Sequence, residues 1–154
     1  RKVINIVLEN VNHSYQSKRI ELTKNIQSSL VIKGEYYSHF ADLLRIFLEN
    51  ILKHSLADVG IIPTEITINQ IDNWLNVDIT NDFADIKNAN AVPIMGEKII
   101  NTSKLSTEGK SGFYKAKKIL QSDLKCDTND FNLYIENDEK FRVSLKISVE
   151  NLVI

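Results

Sequence analysis

The chain has 154 residues, 43% of them apolar and 25% charged, and 19 basic against 20 acidic side chains leave a formal net charge of −1. That composition suits one domain with a real hydrophobic core and argues against a protein that coats nucleic acid by bulk charge. Cys126 is the only cysteine and His13, His39 and His54 the only histidines, which excludes an internal disulfide and a cysteine-based zinc site, and no apolar run approaches the ~20 residues of a membrane span.

Nothing at the start reads as a signal peptide. A chain that begins at Arg1 and has Met95 as its only methionine reads as a piece of a longer cytoplasmic protein, touching neither nucleic acid nor membrane through this segment. Residues 1–154 are expected to form a single domain.

Val3, Ile4, Val7, Leu8 and Val11 recur at helical spacing and predict a short amphipathic helix over Val3 to Val11. Arg19 to Thr23 alternates and predicts a strand, and Val31 to Gly34 reads as a connector. The strongest helix runs from about Tyr37 to Ala57, with an apolar stripe of Phe40, Leu43, Leu44, Phe47, Leu48, Ile51 and Leu52. Asp42, Ile46, Glu49, Asn50 and Lys53 fall in one band on its other side. Gly60 and Pro63 are expected to end this region.

Glu65 to Ile71 and Leu75 to Thr80 alternate around Asp72-Asn73, which supplies turn chemistry, and predict a β-hairpin with Ile66, Ile68, Leu75, Val77 and Ile79 on its apolar face. Beyond Asn81 the periodicity disappears as far as Glu108. So long a connection inside a compact domain is usually functional, and residues 82–108 are read as a lid. Gly112 to Leu120 predicts a helix with Phe113, Ala116, Ile119 and Leu120 on its apolar face. Phe131 to Ile135 and Phe141 to Val149 predict a second hairpin around Asn137-Asp138. Helices on one face of a mixed, mostly antiparallel sheet make a two-layer α+β sandwich.

The polar band of the long helix, the hairpin end at Asn81-Asp82 and a glycine-bearing helix start form the plan of a nucleotide site. Asn50 offers a neutral amide oxygen suited to Mg²⁺, and Lys53, one turn further, has the reach and charge for a phosphate. Taken singly, each is an ordinary solvated helix residue, and only the combination points to a ligand. Ser106 to Gly112 precedes a helix with small residues that let backbone N–H groups approach phosphate oxygens. Gly109-Lys110-Ser111 has the look of a Walker A ending, but Leu105 stands where that motif needs glycine, which rejects a P-loop.

This order of parts resembles the ATP-binding fold shared by DNA gyrase, heat-shock ATPase chaperones and sensor histidine kinases, and the histidine-kinase catalytic domain in particular, over nearly the whole chain. Phe47-Leu48-Glu49-Asn50-Ile51-Leu52-Lys53-His54-Ser55 is similar to that family's asparagine box. Gly112-Phe113-Tyr114-Lys115-Ala116-Lys117-Lys118-Ile119-Leu120 is similar to the helix after its second glycine box. The resemblance implies a Bergerat-type fold in which Asn50 holds Mg²⁺, Lys53 touches a phosphate, His54 borders the site and the loop at Gly109, Lys110, Ser111 and Gly112 covers the phosphates of ATP or ADP.

The departures are specific. Ile46 stands where the family has Asn or Glu, and a side chain that cannot take a proton makes vigorous ATP hydrolysis an unlikely activity. Asn81 replaces the Asp that accepts the adenine amine, Phe83 and Asp85 replace two glycines, and Lys110 replaces a third. Phe83 would either stack on adenine or fill the pocket. The expected function is therefore a Mg-ATP-binding catalytic domain that passes a phosphoryl group to a histidine on another domain of the parent protein. The alternatives are a degenerate module of the same fold, with a regulatory or interaction role, and an unrelated α+β binding domain.

Overall fold

The computed structural model describes residues 2–29, 31–55, 60–82, 111–127, 130–136, 140–150 and 152. In chain order the elements are α1 (Lys2–Ser14), β1 (Lys18–Gln27), α2 (Gly34–His54), β2 (Gly60–Ile71), β3 (Trp74–Asp82), α3 (Ser111–Lys118), β4 (Phe131–Glu136) and β5 (Lys140–Ser148), with one π-helical turn over Ile119–Asp123 continuing α3. The lid assigned to 82–108 lies, beyond Asp82, outside the described residues.

The described strands form one five-stranded sheet in the order β1-β2-β3-β5-β4. β1 pairs with β2 in parallel and every other pairing is antiparallel, as expected of a mixed, mostly antiparallel sheet. Register sorts the side chains by face. Ile66 lies opposite Ile79, Val77 opposite Leu145 and Leu133 opposite Val143, and all six are buried. The residues between them, such as Asp78, Thr80, Arg142 and Ser144, make the other face polar, with Arg142 Nη2 2.9 Å from Asp78 Oδ1. A sheet with one apolar face has to be covered on that side only, and the helices do so.

The core is a single cluster to which helices and strands all contribute. From α2 it takes the whole predicted stripe, Phe40, Leu43, Leu44, Phe47, Leu48, Ile51 and Leu52. α2 contacts both α1 and α3. Phe47 joins it to the far side of the sheet, its ring centroid 6.4 Å from Phe113 and 5.9 Å from Phe131, in tilted aromatic contacts.

The predicted boundaries differ from the structure at the ends of α1 and β1, which run to Ser14 and Gln27, and at the starts of α2 and β2. α2 begins at Gly34, a turn before Tyr37, on Lys33, which makes no side-chain cap. Lys33 N–H donates instead to Leu152 C=O at 2.8 Å, so the start is fixed by a distant segment and leaves no capping residue to read. The described part of α2 closes at His54, where Lys18 Nζ donates to the Leu52 carbonyl at 3.2 Å and brings positive charge to the helix end. β2 begins at Gly60 and runs through Pro63. Pro63 lies opposite Glu21 of β1, beyond the last β2–β3 pair at Thr64–Asn81.

At the rim of the sheet, β1 is tied to α1. Ile20 N–H donates to Asn12 Oδ1 at 2.7 Å, and Asn12 Nδ2 donates to Ile20 C=O at 3.0 Å. No helix among the described residues is long and apolar enough to cross a membrane.

Candidate functional site

α2 carries Ile46, Asn50 and Lys53 at spacings of four and three, which stacks them along one side of the helix, with Ile46 partly buried against the core. Asn50 is half-buried and its Nδ2 donates to the Ile46 carbonyl at 2.9 Å. A carbonyl oxygen can only accept, so this bond fixes the amide: nitrogen toward its own helix, oxygen away from that carbonyl.

The amide also meets the start of α3. A Cβ on Gly112 would stand 3.0 Å from Asn50 Nδ2, 3.5 Å from Asn50 Oδ1 and 3.5 Å from Ile46 Cγ2. Glycine at 112 therefore lets the α3 backbone come down onto Asn50 and Ile46. Two segments far apart in the chain, each chosen from the sequence on separate grounds, meet here.

Lys53 is exposed and its Nζ lies 3.6 Å from Glu49 Oε2. An exposed i,i+4 pair of this kind is worth about 0.3–0.5 kcal/mol, so an anion can displace it at little cost. His54 is the last residue of α2 and Ser111 the first of α3. Phe83, Gly109 and Lys110 lie outside the described residues.

Asn81 stands near the end of β3 on the core face, opposite Thr64 of β2 and Phe141 of β5. It is 4% exposed, its Nδ2 donates to the Asp82 carbonyl at 2.8 Å, and its Oδ1 is buried without a hydrogen-bond partner. Buried acceptors are nearly always satisfied, so an orphan of this kind marks a place where a donor is missing. The Phe141 ring lies 6.1 Å from that of Phe113, the residue after Gly112, so the end of β3 and the start of α3 belong to one end of the domain.

Thr64 escaped the sequence reading. It is 3% exposed beside Asn81, with its hydroxyl donating at 3.4 Å to the Ile62 carbonyl. The signal was present as a polar residue at the core parity of Ile62 and Ile66, but Pro63 had been taken as the end of the preceding region.

Among the described residues no group of three His, Cys, Asp or Glu side chains could hold a metal ion. Asn50 Oδ1, turned away from the Ile46 carbonyl, is a neutral oxygen of the kind that could ligate a hard cation.

A family model described as "y4jQ C-terminal putative histidine kinase domain" matches residues 1–149. The chain belongs to this family. Among solved structures it is similar to a blue-light activated histidine kinase of Erythrobacter litoralis EL346, with a TM-score of 0.64 and 17% identity over 95% of this chain and 40% of that one. Full-length ShkA in complex with AMPPNP gives a TM-score of 0.63 at 12% identity over 99% of this chain and 30% of that one. The nucleotide-free catalytic domain of the histidine kinase ThkA gives 0.62 at 11% identity, covering 97% and 93%. At these identities the likeness is one of fold, and it is the histidine-kinase catalytic fold. No curated protein matches. The chain spans less than half of the first of these kinases.

Proposed function

We propose that this chain is the Mg-ATP-binding catalytic domain of a histidine-kinase-like signalling protein, working in the cytoplasm and passing a phosphoryl group to a histidine on another domain of its parent. The observation that carries this reading is the seat of the Asn50 amide on Gly112, which unites the asparagine box with the glycine-led helix. The fold it shares with nucleotide-binding kinases supports the same reading.

In phosphoryl transfer, positioning and charge neutralisation supply most of the catalysis. Asn50 would hold Mg²⁺, which neutralises phosphate oxygens when bound. Lys53 would exchange Glu49 for a phosphate oxygen. The backbone at Ser111 and Gly112, at an α3 N-terminus, would add N–H donors and partial positive charge. Gly109 and Lys110 would complete the phosphate contacts, His54 would border the pocket, Phe83 would stack on adenine or fill that space, and Asn81 would meet the base. Ile46 has no group to take a proton from water, so water is a poor competitor for the phosphoryl group.

Ile46 also favours a second reading, a degenerate module that binds nucleotide weakly and acts through its parent's other domains. A titration separates the two. Mg-ATP or ADP at millimolar concentration should raise the melting temperature in proportion to ln(1 + [L]/Kd), and no rise would leave the second reading.

A further inference from the structure

We propose that Lys18, which stands on β1 outside the nucleotide site, is a positioning residue for it: its ammonium holds the last turn of α2 closed and so fixes where Lys53 meets a phosphate. This rests on the nucleotide-binding reading and goes beyond it, because that reading gives Lys53 a phosphate without saying what keeps Lys53 in place.

Lys53 cannot place itself. Its side chain is 54% exposed, and the Glu49 carboxylate 3.6 Å away restrains it weakly. It sits one residue from the end of α2, in the turn whose carbonyls have no partner further along the helix. Terminal turns fray, and a long side chain carried on a fraying turn reaches a given point only part of the time.

Lys18 supplies what the helix lacks. Its Nζ donates to the Leu52 carbonyl at 3.2 Å, on the peptide unit that leads into Lys53. The Ser55 hydroxyl is a weaker donor to the same oxygen at 3.5 Å, and Ser55 N–H donates to the Ile51 carbonyl at 2.9 Å, which closes the turn beyond Lys53. A cation here also meets the negative end of the helix dipole. The other end of the tether is rigid. Lys18 opens the pairing of β1 with β2, opposite Gly60, and Gly60 N–H donates to the Ser17 carbonyl at 2.8 Å. Two residues on, Asn12 clamps both backbone groups of Ile20. A half-buried ammonium thus ties the turn that bears Lys53 to the sheet.

A hydrogen bond from a charged donor is among the stronger ones, and its loss shifts the turn toward open by about tenfold or more. A site that needs the turn closed then loses apparent affinity in proportion to the closed fraction.

The test compares the whole chain as wild type, Lys18→Met, Lys18→Arg, Lys53→Met and the double Met variant, by isothermal titration with Mg-ATP and by hydrogen exchange of the Ser55 amide without ligand. Lys18→Met should speed Ser55 exchange by about tenfold and weaken ATP binding by about three- to tenfold, while Lys18→Arg, which keeps charge and donors, should stay within about twofold of the wild type in both. In the Lys53→Met background the same change should cost less than about twofold, because the residue it positions is gone. Lys18→Gln, neutral and shorter, serves in its place should Lys18→Met fail to fold. A Ser55 amide that exchanges at the wild-type rate in Lys18→Met would show that Lys18 does not hold the turn. An equal loss with and without Lys53, or full ATP affinity in a variant whose Ser55 amide exchanges fast, would also overturn the inference and leave nucleotide binding standing. A wild type that does not bind Mg-ATP would remove the inference and the reading beneath it together.

Discussion

Replacing Gly112 by alanine puts the contact between α2 and α3 to a quantitative test. The new methyl would stand 3.0 Å from Asn50 Nδ2, inside ordinary contact distance, so either backbone or amide must yield. The amide is the far end of a side chain and moves first, at the expense of its 2.9 Å bond to the Ile46 carbonyl. For the unliganded domain two effects oppose one another. Alanine in place of glycine near the helix start gains up to about 1 kcal/mol, and the displaced hydrogen bond loses about 1 kcal/mol. The unliganded melting temperature should therefore move by less than about 4 °C.

Nucleotide binding has no such compensation. Ligand at 100 times Kd contributes about 2.7 kcal/mol, or roughly 5–10 °C for a domain of this size. A tenfold loss of affinity, the expected consequence of a shifted amide oxygen, removes about 1.4 kcal/mol and so about half of that rise. Thermal unfolding with and without Mg-ATP measures both quantities on one sample. A variant that keeps the wild-type rise would refute the role given to the contact. A drop of more than about 10 °C without ligand would show that Gly112 serves packing alone.

Asn50→Ala should abolish the nucleotide-induced rise and Glu49→Ala should reduce it far less, measured in the same assay, since Glu49 contributes only an exposed pair with Lys53. Asn12→Ala removes both hydrogen bonds to Ile20 and should lower stability by about 1–3 kcal/mol, seen as a lower urea midpoint at unchanged slope. Burial, reinforced by the negative charge of Asp130 and opposed by a hydrogen bond from the Ser148 backbone, pushes the Cys126 thiol up from 9.0 to about 12. The folded state therefore keeps a proton that the unfolded chain releases, so this contribution is whole below about pH 9 and declines as pH rises toward 12. Urea midpoints at pH 8 and pH 10 should fall further for the wild type than for Cys126→Ala, and a disulfide reagent should label the native thiol at pH 8 only as fast as the domain opens.

Sequence periodicity is strong where one face of an element is buried along its length. The stripe from Phe40 to Leu52 and the alternation from Leu75 to Ile79 are of that kind, and both stand in the core as read. The turn between β2 and β3 was equally legible, because Asp72 takes a left-handed φ of 53°, which Asp and Asn tolerate best. Starts set by partners elsewhere were not legible. Lys33 leans on Leu152, and β2 runs on through Pro63 in register with β1. Likewise β1 could have paired with any strand, and nothing local states that its neighbour is β2 across the length of α2. In the site, residue chemistry singled out Asn50 and Gly112 separately, while their contact and the orphaned oxygen of Asn81 are properties of packing and register.

The Asn12 side chain has a consequence for the solution behaviour of this domain. β1 lies at the margin of the sheet, and Asn12 copies the donor and acceptor of a strand backbone against Ile20, blocking the position where a foreign chain would dock. The helix that carries Asn12 thus acts as a guard against self-assembly. A version trimmed to start at β1 would keep most of its core and expose a template for strand addition, so its first failure would be polymerisation before loss of fold.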